Sequence, residues 1–339
     1  MDQKPETPSL PLITRFKLWV VSTLTNWGIR RDGTLDRRFR NLIDFKSSTT
    51  PTPVEGVKSY DVSIDPNRNL WVRVFAPVVT NDKLPVIVYY HGGGFSFYTA
   101  DSSPFDVLCR RFASMIPAVI VSVSYRLTPE HRYPSQYDDG LDVLKFIDDG
   151  FNVEKLPENA DLRYCFVAGD SAGGNLAHHV CVRASQNKFH NLKVIGLVAL
   201  QPFFGGEERT ESELSPDTSI GLALNQTDFY WNVFKPLSSS TDEKWDRDNE
   251  VINVTGPRAA DITGLDFPTT LIVLGGRDIL RDRHKMYYEW LKKSKKDAYL
   301  EEYPYMFHGF YAFTEVSEAT HVISVIRDFV HKQMNTSAE

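Results

Sequence analysis

The chain has 339 residues, a formal net charge of −6 at pH 7 and 42% hydrophobic residues, enough to bury a sizeable core in one large domain or two small ones. The mildly acidic balance argues against nucleic acid or an anionic membrane surface as the main partner, and no apolar run reaches the roughly 18 residues that span a bilayer. Cys109, Cys165 and Cys181 all lie in apolar stretches, so they read as buried thiols of a reducing compartment and not as a disulfide framework.

Residues 1–9 are polar and contain proline, with no charged n-region ahead of a long apolar core, so no secretory signal is expected. A cytoplasmic protein is expected, with the nucleus as a second location, and the N-x-[ST] matches at Asn225, Asn253 and Asn335 read as chance. Leu12, Phe16, Trp19, Val20, Thr23, Leu24 and Trp27 fall on one helical face and predict an amphipathic helix over 10–28. It precedes every strand, so it must pack on something formed later, either as a cap on the core or as a lid over a pocket. Residues 45–56, FKSSTTPTPVEG, read as a linker.

Residues 60–64 and 70–75 alternate and predict antiparallel strands around the turn at Asp65-Pro66-Asn67. The near-continuous apolar runs at 85–90 and 118–125 predict central strands, with a helix over 104–115 between them. Helix and strand then alternate: a helix near 135–148, a strand over 164–167 with its helix, strands at 194–200 and 270–274, a helix near 283–293, a strand at 298–303 and a helix near 320–333. A mixed start followed by repeated β-α units implies a largely parallel sheet covered by helices on both faces. Gly205 to Gly264 breaks the rhythm. It is polar, carries Phe229-Tyr230-Trp231, and reads as an insertion over the C-terminal edge of the sheet, where such folds bind ligands.

Gly169-Asp170-Ser171-Ala172-Gly173 fits the G-x-S-x-G nucleophile elbow, in which a serine tips a tight strand-to-helix turn. The following helix N-terminus points partial positive charge at the site where an oxyanion would form. A serine hydroxyl needs a base, and the base needs a carboxylate to fix its tautomer. In chain order after Ser171 the candidates are Asp278, past the strand at 270–274, and His308, past the strand at 298–303. Asp282, inside the next helix, is a rival acid. His284, His321 and His331 lie on predicted helices, where surface or packing roles are expected. His91-Gly92-Gly93-Gly94-Phe95 follows the strand at 85–90, and such a loop supplies backbone N–H groups to an oxyanion hole together with the residue after the nucleophile, Ala172. Two matches to one mechanism, in the right order, weigh against coincidence. No zinc-ligand spacing, dinucleotide fingerprint or phosphate loop occurs, so no cofactor and no metal are expected.

These residues resemble the hormone-sensitive-lipase-like branch of the α/β-hydrolases, through HGGGF at 91–95, YRLTPEHRYP at 125–134 and GDSAGGN at 169–175. Within it the chain is similar to the plant carboxylesterases related to gibberellin receptors, on RRDGTLDRRF at 30–39, FDVLCRRF at 105–112, YPSQYDDG at 133–140, QPFFGGEERTESE at 201–213 and Asp228-Phe229-Tyr230-Trp231. The likeness runs from about residue 10 to the C-terminal helix. It implies an α/β-hydrolase fold with a mostly parallel eight-stranded sheet, an N-terminal lid segment over 1–44 and a catalytic body over 45–339 in one domain. It implies Ser171, Asp278 and His308 as a triad, Gly92, Gly93, Gly94 and Ala172 around the oxyanion hole, and Asp170 and Glu130 as polar residues buttressing the site. The receptors of this family lack the histidine and have serine for the third glycine; this chain has His308 and Gly94. Thr128, where the branch commonly has alanine, is a small departure. The expected activity is therefore a carboxylesterase acting on small, largely apolar esters, with no protein partner. A receptor-like binding protein, or a lyase or cyclase on the same scaffold, are the alternatives.

Overall fold

Runs of Val, Ile, Leu and aromatic residues, bounded by Gly, Pro, Asp and Asn, build eight strands. The computed structural model describes residues 10–30, 34–78, 83–150, 156–218, 220–237 and 245–338. The expectation for 1–9, the 31–33 portion of the RRDGTLDRRF match, and 219 and 238–244 of the insertion lie outside the described residues. The strands are β1 (Val57–Asp65), β2 (Leu70–Pro77), β3 (Leu84–Tyr90), β4 (Val119–Ser124), β5 (Ala160–Asp170), β6 (Val194–Leu200), β7 (Thr269–Gly275) and β8 (Ala298–Tyr303). The helices are α1 (Leu12–Trp27), α2 (Arg37–Ile43), α3 (Ser103–Met115), α4 (Ser135–Asp148), α5 (Ala172–Ala184), α6 (Glu211–Leu214), α7 (Leu224–Phe234), α8 (Arg281–Lys293) and α9 (Glu318–Ala338).

The eight strands form one sheet in the order β1-β2-β4-β3-β5-β6-β7-β8. β1, β2 and β4 pair antiparallel, and every pair from β4 and β3 to β8 is parallel. This is the α/β-hydrolase arrangement expected from the sequence. The period-2 alternation of strand side chains sorts the core into two layers. Val86, Val88 and Tyr90 of β3 join the layer holding Leu144 of α4, Leu176 of α5 and Tyr287 of α8. Ile87 and Tyr89 join the opposite layer, with Phe105 and Phe112 of α3 and Ile323 and Ile326 of α9.

The chain leaves β3 for β4 on one side, then crosses back to β5 on the other. The loops after β3 and β5 therefore open side by side at the C-terminal edge, with Tyr90 opposite Gly169. Such a reversal of strand order leaves a crevice. The loops after β6, β7 and β8 continue the same row, because those strands follow in order.

Two expectations change. The 45–56 stretch is tied to the body: Ser47 donates to the Asp101 carbonyl at 2.8 Å and Thr50 N–H donates to Ser59 Oγ at 2.9 Å. The insertion is less polar inside than its composition suggests. Trp231 stacks on Phe203 with centroids 4.2 Å apart, and Val251, Ile252, Val254 and Ile262 are buried in the core.

Candidate active site

Ser171 sits between β5 and α5 with φ 51° and ψ −118°, a conformation that costs a non-glycine residue about 1–3 kcal/mol unless its surroundings impose it. They do. Its N–H donates to the Leu200 carbonyl at 2.9 Å, and its own carbonyl accepts from Phe203 N–H at 2.8 Å and from Gly174 and Asn175 in the first turn of α5. A Cβ on Gly173 would lie 1.9 Å from the Tyr90 carbonyl oxygen, so only glycine lets the turn press onto β3. The serine is thereby lifted to the sheet edge ahead of a helix N-terminus.

His308 follows β8, and its Nε2 lies 2.9 Å from Ser171 Oγ; its Nδ1 lies 2.8 Å from Asp278 Oδ2. An ionised carboxylate only accepts, so Nδ1 carries the proton and Nε2 accepts from the serine O–H. Burial disfavours the charged imidazole, but Asp278 outweighs it and holds the His308 pKa above the ordinary histidine value. Asp278 is fully buried. Burial pushes its pKa up, and the imidazole together with the Leu280 N–H overcomes that, so the net shift is downward. The rival acid Asp282 lies in the first turn of α8 and accepts from Ser212 N–H at 2.7 Å. His284 is buried against the Pro202 carbonyl, and burial pulls its pKa to about 4. His321 meets the Tyr303 hydroxyl at 3.0 Å, and His331 is exposed on α9.

Gln201 was not singled out by its chemistry in the sequence. Its amide N–H₂ donates to Asp278 Oδ2 at 2.8 Å and to the Phe307 carbonyl at 3.1 Å, while its Oε1 accepts from Gly309 N–H at 2.7 Å. One fully buried side chain thus fixes the carboxylate and both flanks of His308. Its position directly after β6, opening the QPFFGG segment, was the available signal.

In the loop after β3, Gly93 and Gly94 have φ 102° and 60° and line the cavity beside Ser171. Among the described residues no acceptor takes their N–H groups or that of Ala172. Gly92 stands behind its neighbours: it is not among the residues lining the cavity, its N–H helps to lower the Asp170 pKa, and an added Cβ there would lie 2.5 Å from Asp170 Oδ2. Asp170 also accepts from Tyr89 at 2.6 Å and Tyr311 at 3.0 Å. Burial raises its pKa to about 6 against the pull of these donors. Asp170 therefore braces the loop after β3 against the loop after β8. Glu130 does not touch the site. It pairs with Arg37, which also donates to the Ser96 and Thr128 carbonyls, so it fastens the N-terminal segment to the glycine loop from outside.

A cavity of about 420 Å³ opens over Ser171 and His308, lined by Phe16, Leu18 and Val20 of α1 and by Tyr98, Tyr230 and Phe313. A second, of about 530 Å³, shares Val20, Arg40 and Tyr98 with it. The helix expected over 10–28 is present, and the counted face is the inward one only in part: Phe16, Val20 and Leu24 line the cavities. Thr14 and Leu18 are buried, Val21 and Thr25 line both cavities, and Leu12, Trp19 and Trp27 are 80%, 63% and 68% exposed. The stripe at 14, 18, 21 and 25 has helical spacing of its own, and α1 is apolar on most sides, so composition did not choose between the two. Among the described residues no three His, Cys, Asp or Glu side chains converge as metal ligands would, and no helix is long and apolar enough to cross a membrane.

Residues 87–312 match the family model for the alpha/beta hydrolase fold. A gibberellin receptor of Arabidopsis thaliana is 37% identical over 336 residues, covering 95% of this chain and 93% of the relative. A 3-O-acetylpapaveroxine carboxylesterase of Papaver somniferum is 35% identical over 274 residues, covering 77% and 84%. Among solved structures, an esterase of Pyrobaculum calidifontis matches with a TM-score of 0.71 at 25% identity, over 96% of this chain and 99% of that one.

The His308–Asp278 contact generates a prediction independent of any substrate. In an NMR titration the His308 imidazole is expected to lose its proton at a pH above that of an ordinary histidine. Asp278→Asn removes the charge that offsets burial, so the midpoint should fall. An unchanged midpoint in that variant would mean that Asp278 does not control the ring.

Proposed function

The chain belongs to the α/β-hydrolase fold family, and from that premise we propose that it is a serine carboxylesterase using Ser171, His308 and Asp278. Its likeness to plant carboxylesterases and to esterase structures makes it a carboxylesterase-like α/β hydrolase. The observation that carries the finer reading is the unbroken hydrogen-bond chain from Ser171 Oγ through His308 to Asp278 at 2.9 and 2.8 Å.

In this reading Ser171 Oγ attacks the ester carbonyl carbon while His308 Nε2 takes its proton. The carbonyl oxygen becomes an oxyanion facing the N–H groups of Gly93, Gly94 and Ala172, donors of the kind worth about 10²–10³ in rate each. The tetrahedral adduct collapses, the C–O bond to the alcohol breaks, and His308 returns the proton to the departing alkoxide. Water, deprotonated by the same ring, then attacks the acyl carbon, the bond to Ser171 Oγ breaks, and His308 returns the proton to Oγ as the acid leaves. Asp278 keeps the ring in the required tautomer and stabilises the imidazolium.

A binding-protein reading draws on the receptor relative. Two features favour hydrolysis over it. A protein that only binds has no use for a base 2.9 Å from a serine, and a side chain at Gly94 would meet the Tyr230 ring at 2.4 Å. The test is hydrolysis of short p-nitrophenyl esters, with the acid and the alcohol quantified. Wild type should release both in equal amounts, and Ser171→Ala and His308→Val should each lose about 10⁴-fold or more in kcat while remaining folded. Activity near wild type in His308→Val would assign the base elsewhere, and products other than acid plus alcohol would favour lyase or cyclase chemistry.

We further propose that residues 1–44 act as a lid through the inward stripe of α1, over a catalytic body formed by 45–339. Lys17 and Thr14 bind Glu315 at 3.0 and 3.3 Å, and Asn26 accepts from Gln226 at 2.8 Å, so α1 is latched at both ends across the cavity. Truncating Leu18 and Val21 to alanine should lower kcat/KM for octanoyl relative to acetyl esters. Losing about 30–80 Å² of apolar contact at ~25 cal/mol per Å² corresponds to roughly 3- to 30-fold. An unchanged ratio in the folded double variant would leave α1 a cap on the core.

A further inference from the structure

Arg40 of α2 is only 7% exposed, yet it lines both cavities. Its guanidinium carbon lies 3.3 Å from the centroid of the Phe97 ring, and Nη1 donates to the Leu24 carbonyl at 3.3 Å. Among the described residues that is one hydrogen bond for five N–H donors. Among the described residues no carboxylate stands within ion-pair distance. Asp44, one turn further along the chain, gives its Oδ2 to Lys46 at 2.7 Å and to Ser102 at 2.9 Å. Arg37 in the same helix shows the contrast, with Glu130 and two carbonyls satisfying its fork.

A buried guanidinium is costly without a partner. Burial lowers the Arg40 pKa, opposed mainly by Tyr98 and Tyr230, but an arginine keeps its charge in proteins. Both tyrosines line the catalytic cavity, and among the described residues neither hydroxyl has an acceptor. A fixed cation and two phenols, all short of acceptors, thus share one wall of the cavity that holds Ser171 and His308. Of the other polar groups in the lining, Lys17 is held by Glu315, Asp170 by Tyr89 and Tyr311, and Gln226 by Asn26; the rest is largely apolar, so an uncharged substrate would leave the Arg40 wall unsatisfied. A carboxylate matches the planar fork of the guanidinium.

We propose that Arg40, flanked by Tyr98 and Tyr230, receives a carboxylate carried by the substrate, so that the ester cleaved at Ser171 bears one free ionised carboxyl group as well. The ester half of this statement rests on the esterase reading; the anion half does not. With a net charge of −6 the molecule as a whole repels anions, and the local cation selects the charged substrate.

The test uses the full chain and two matched series. In the first, mono-p-nitrophenyl adipate and suberate are compared with p-nitrophenyl hexanoate and octanoate. In the second, 4-carboxyphenyl acetate is compared with 4-methylphenyl acetate. In at least one series Arg40→Met should lower the charged-to-neutral ratio of kcat/KM by about tenfold or more, the range for hydrogen bonds to a charged group. The loss should fall mainly in KM, and Arg40→Lys should retain part of the ratio. A role confined to packing on Phe97 would lower stability without moving either ratio. If Arg40→Met does not fold, the Tyr98→Phe, Tyr230→Phe double variant, which keeps the Arg40 packing, takes the same test. Wild-type hydrolysis with ratios unmoved in both series overturns the proposal and leaves the esterase reading standing. Calorimetry of Ser171→Ala with monoethyl suberate separates the other case. Binding weakened about tenfold by adding Arg40→Met, in a protein that hydrolyses no ester, would sink the esterase reading and keep the carboxylate site. Neither binding nor hydrolysis would overturn the proposal.

Discussion

The site depends on one strained residue held by three strands. Ser171 keeps φ 51° because its N–H is spent on the Leu200 carbonyl of β6, its carbonyl is spent on Phe203 and the start of α5, and Gly173 presses against the carbonyl that ends β3. Strain of about 1–3 kcal/mol is small beside the packing of a parallel sheet buried on both faces. The sheet can therefore hold the serine in a position that a free chain would abandon. Placement of the remaining groups follows from strand order: β6, β7 and β8 lie in sequence beyond β5, so Gln201, Asp278 and His308 arrive along one edge at successive loops.

Two buried carboxylates close to this serine have opposite fates. Both pay for desolvation. Asp278 has its lone pairs taken by His308, Gln201 and Leu280 N–H, and its net shift is toward the charged form. Asp170 faces two phenols and one backbone N–H, and it ends near a pKa of about 6. The first can stabilise an imidazolium that forms and vanishes during a reaction. The second is a brace between loops, joined to Tyr89 of the sheet and to Tyr311 beyond His308. Environment, not residue type, separates the roles.

Much of this was legible in the chain. Continuous apolar runs marked the parallel strands because such strands are covered on both faces, and the alternating pair at 60–75 marked the antiparallel edge. Ser171, Asp278 and His308 could be found because a chemical order and a position after strands constrain them together. Gln201 could not, since a buried glutamine bridging two loops leaves no periodic trace and is recognised only when both loops are in place. A run of glycines does not say which of them faces the cavity, so Gly92 reads like Gly93 and Gly94 although only those two line it. The face of α1 is legible only in part, with Phe16, Val20 and Leu24 on the cavities and Leu12, Trp19 and Trp27 outside, because apolar residues surround that helix: a stripe can be counted from the sequence, but the body it rests on cannot. Arg40 hides for a related reason. Arg-Arg-Phe-Arg at 37–40 looks like a solvated basic turn until folding leaves one of its guanidinium groups indoors.

The account turns on Ser171 being a nucleophile activated by His308, and covalent trapping tests this most directly. The protein is treated with a fluorophosphonate, and the adduct is located by peptide mass spectrometry in wild type, Ser171→Ala and His308→Val. The account predicts one adduct per chain, on Ser171, formed much more slowly without His308 and absent without Ser171. Stoichiometric labelling that survives Ser171→Ala, or labelling of Ser171 at an undiminished rate in His308→Val, would contradict it.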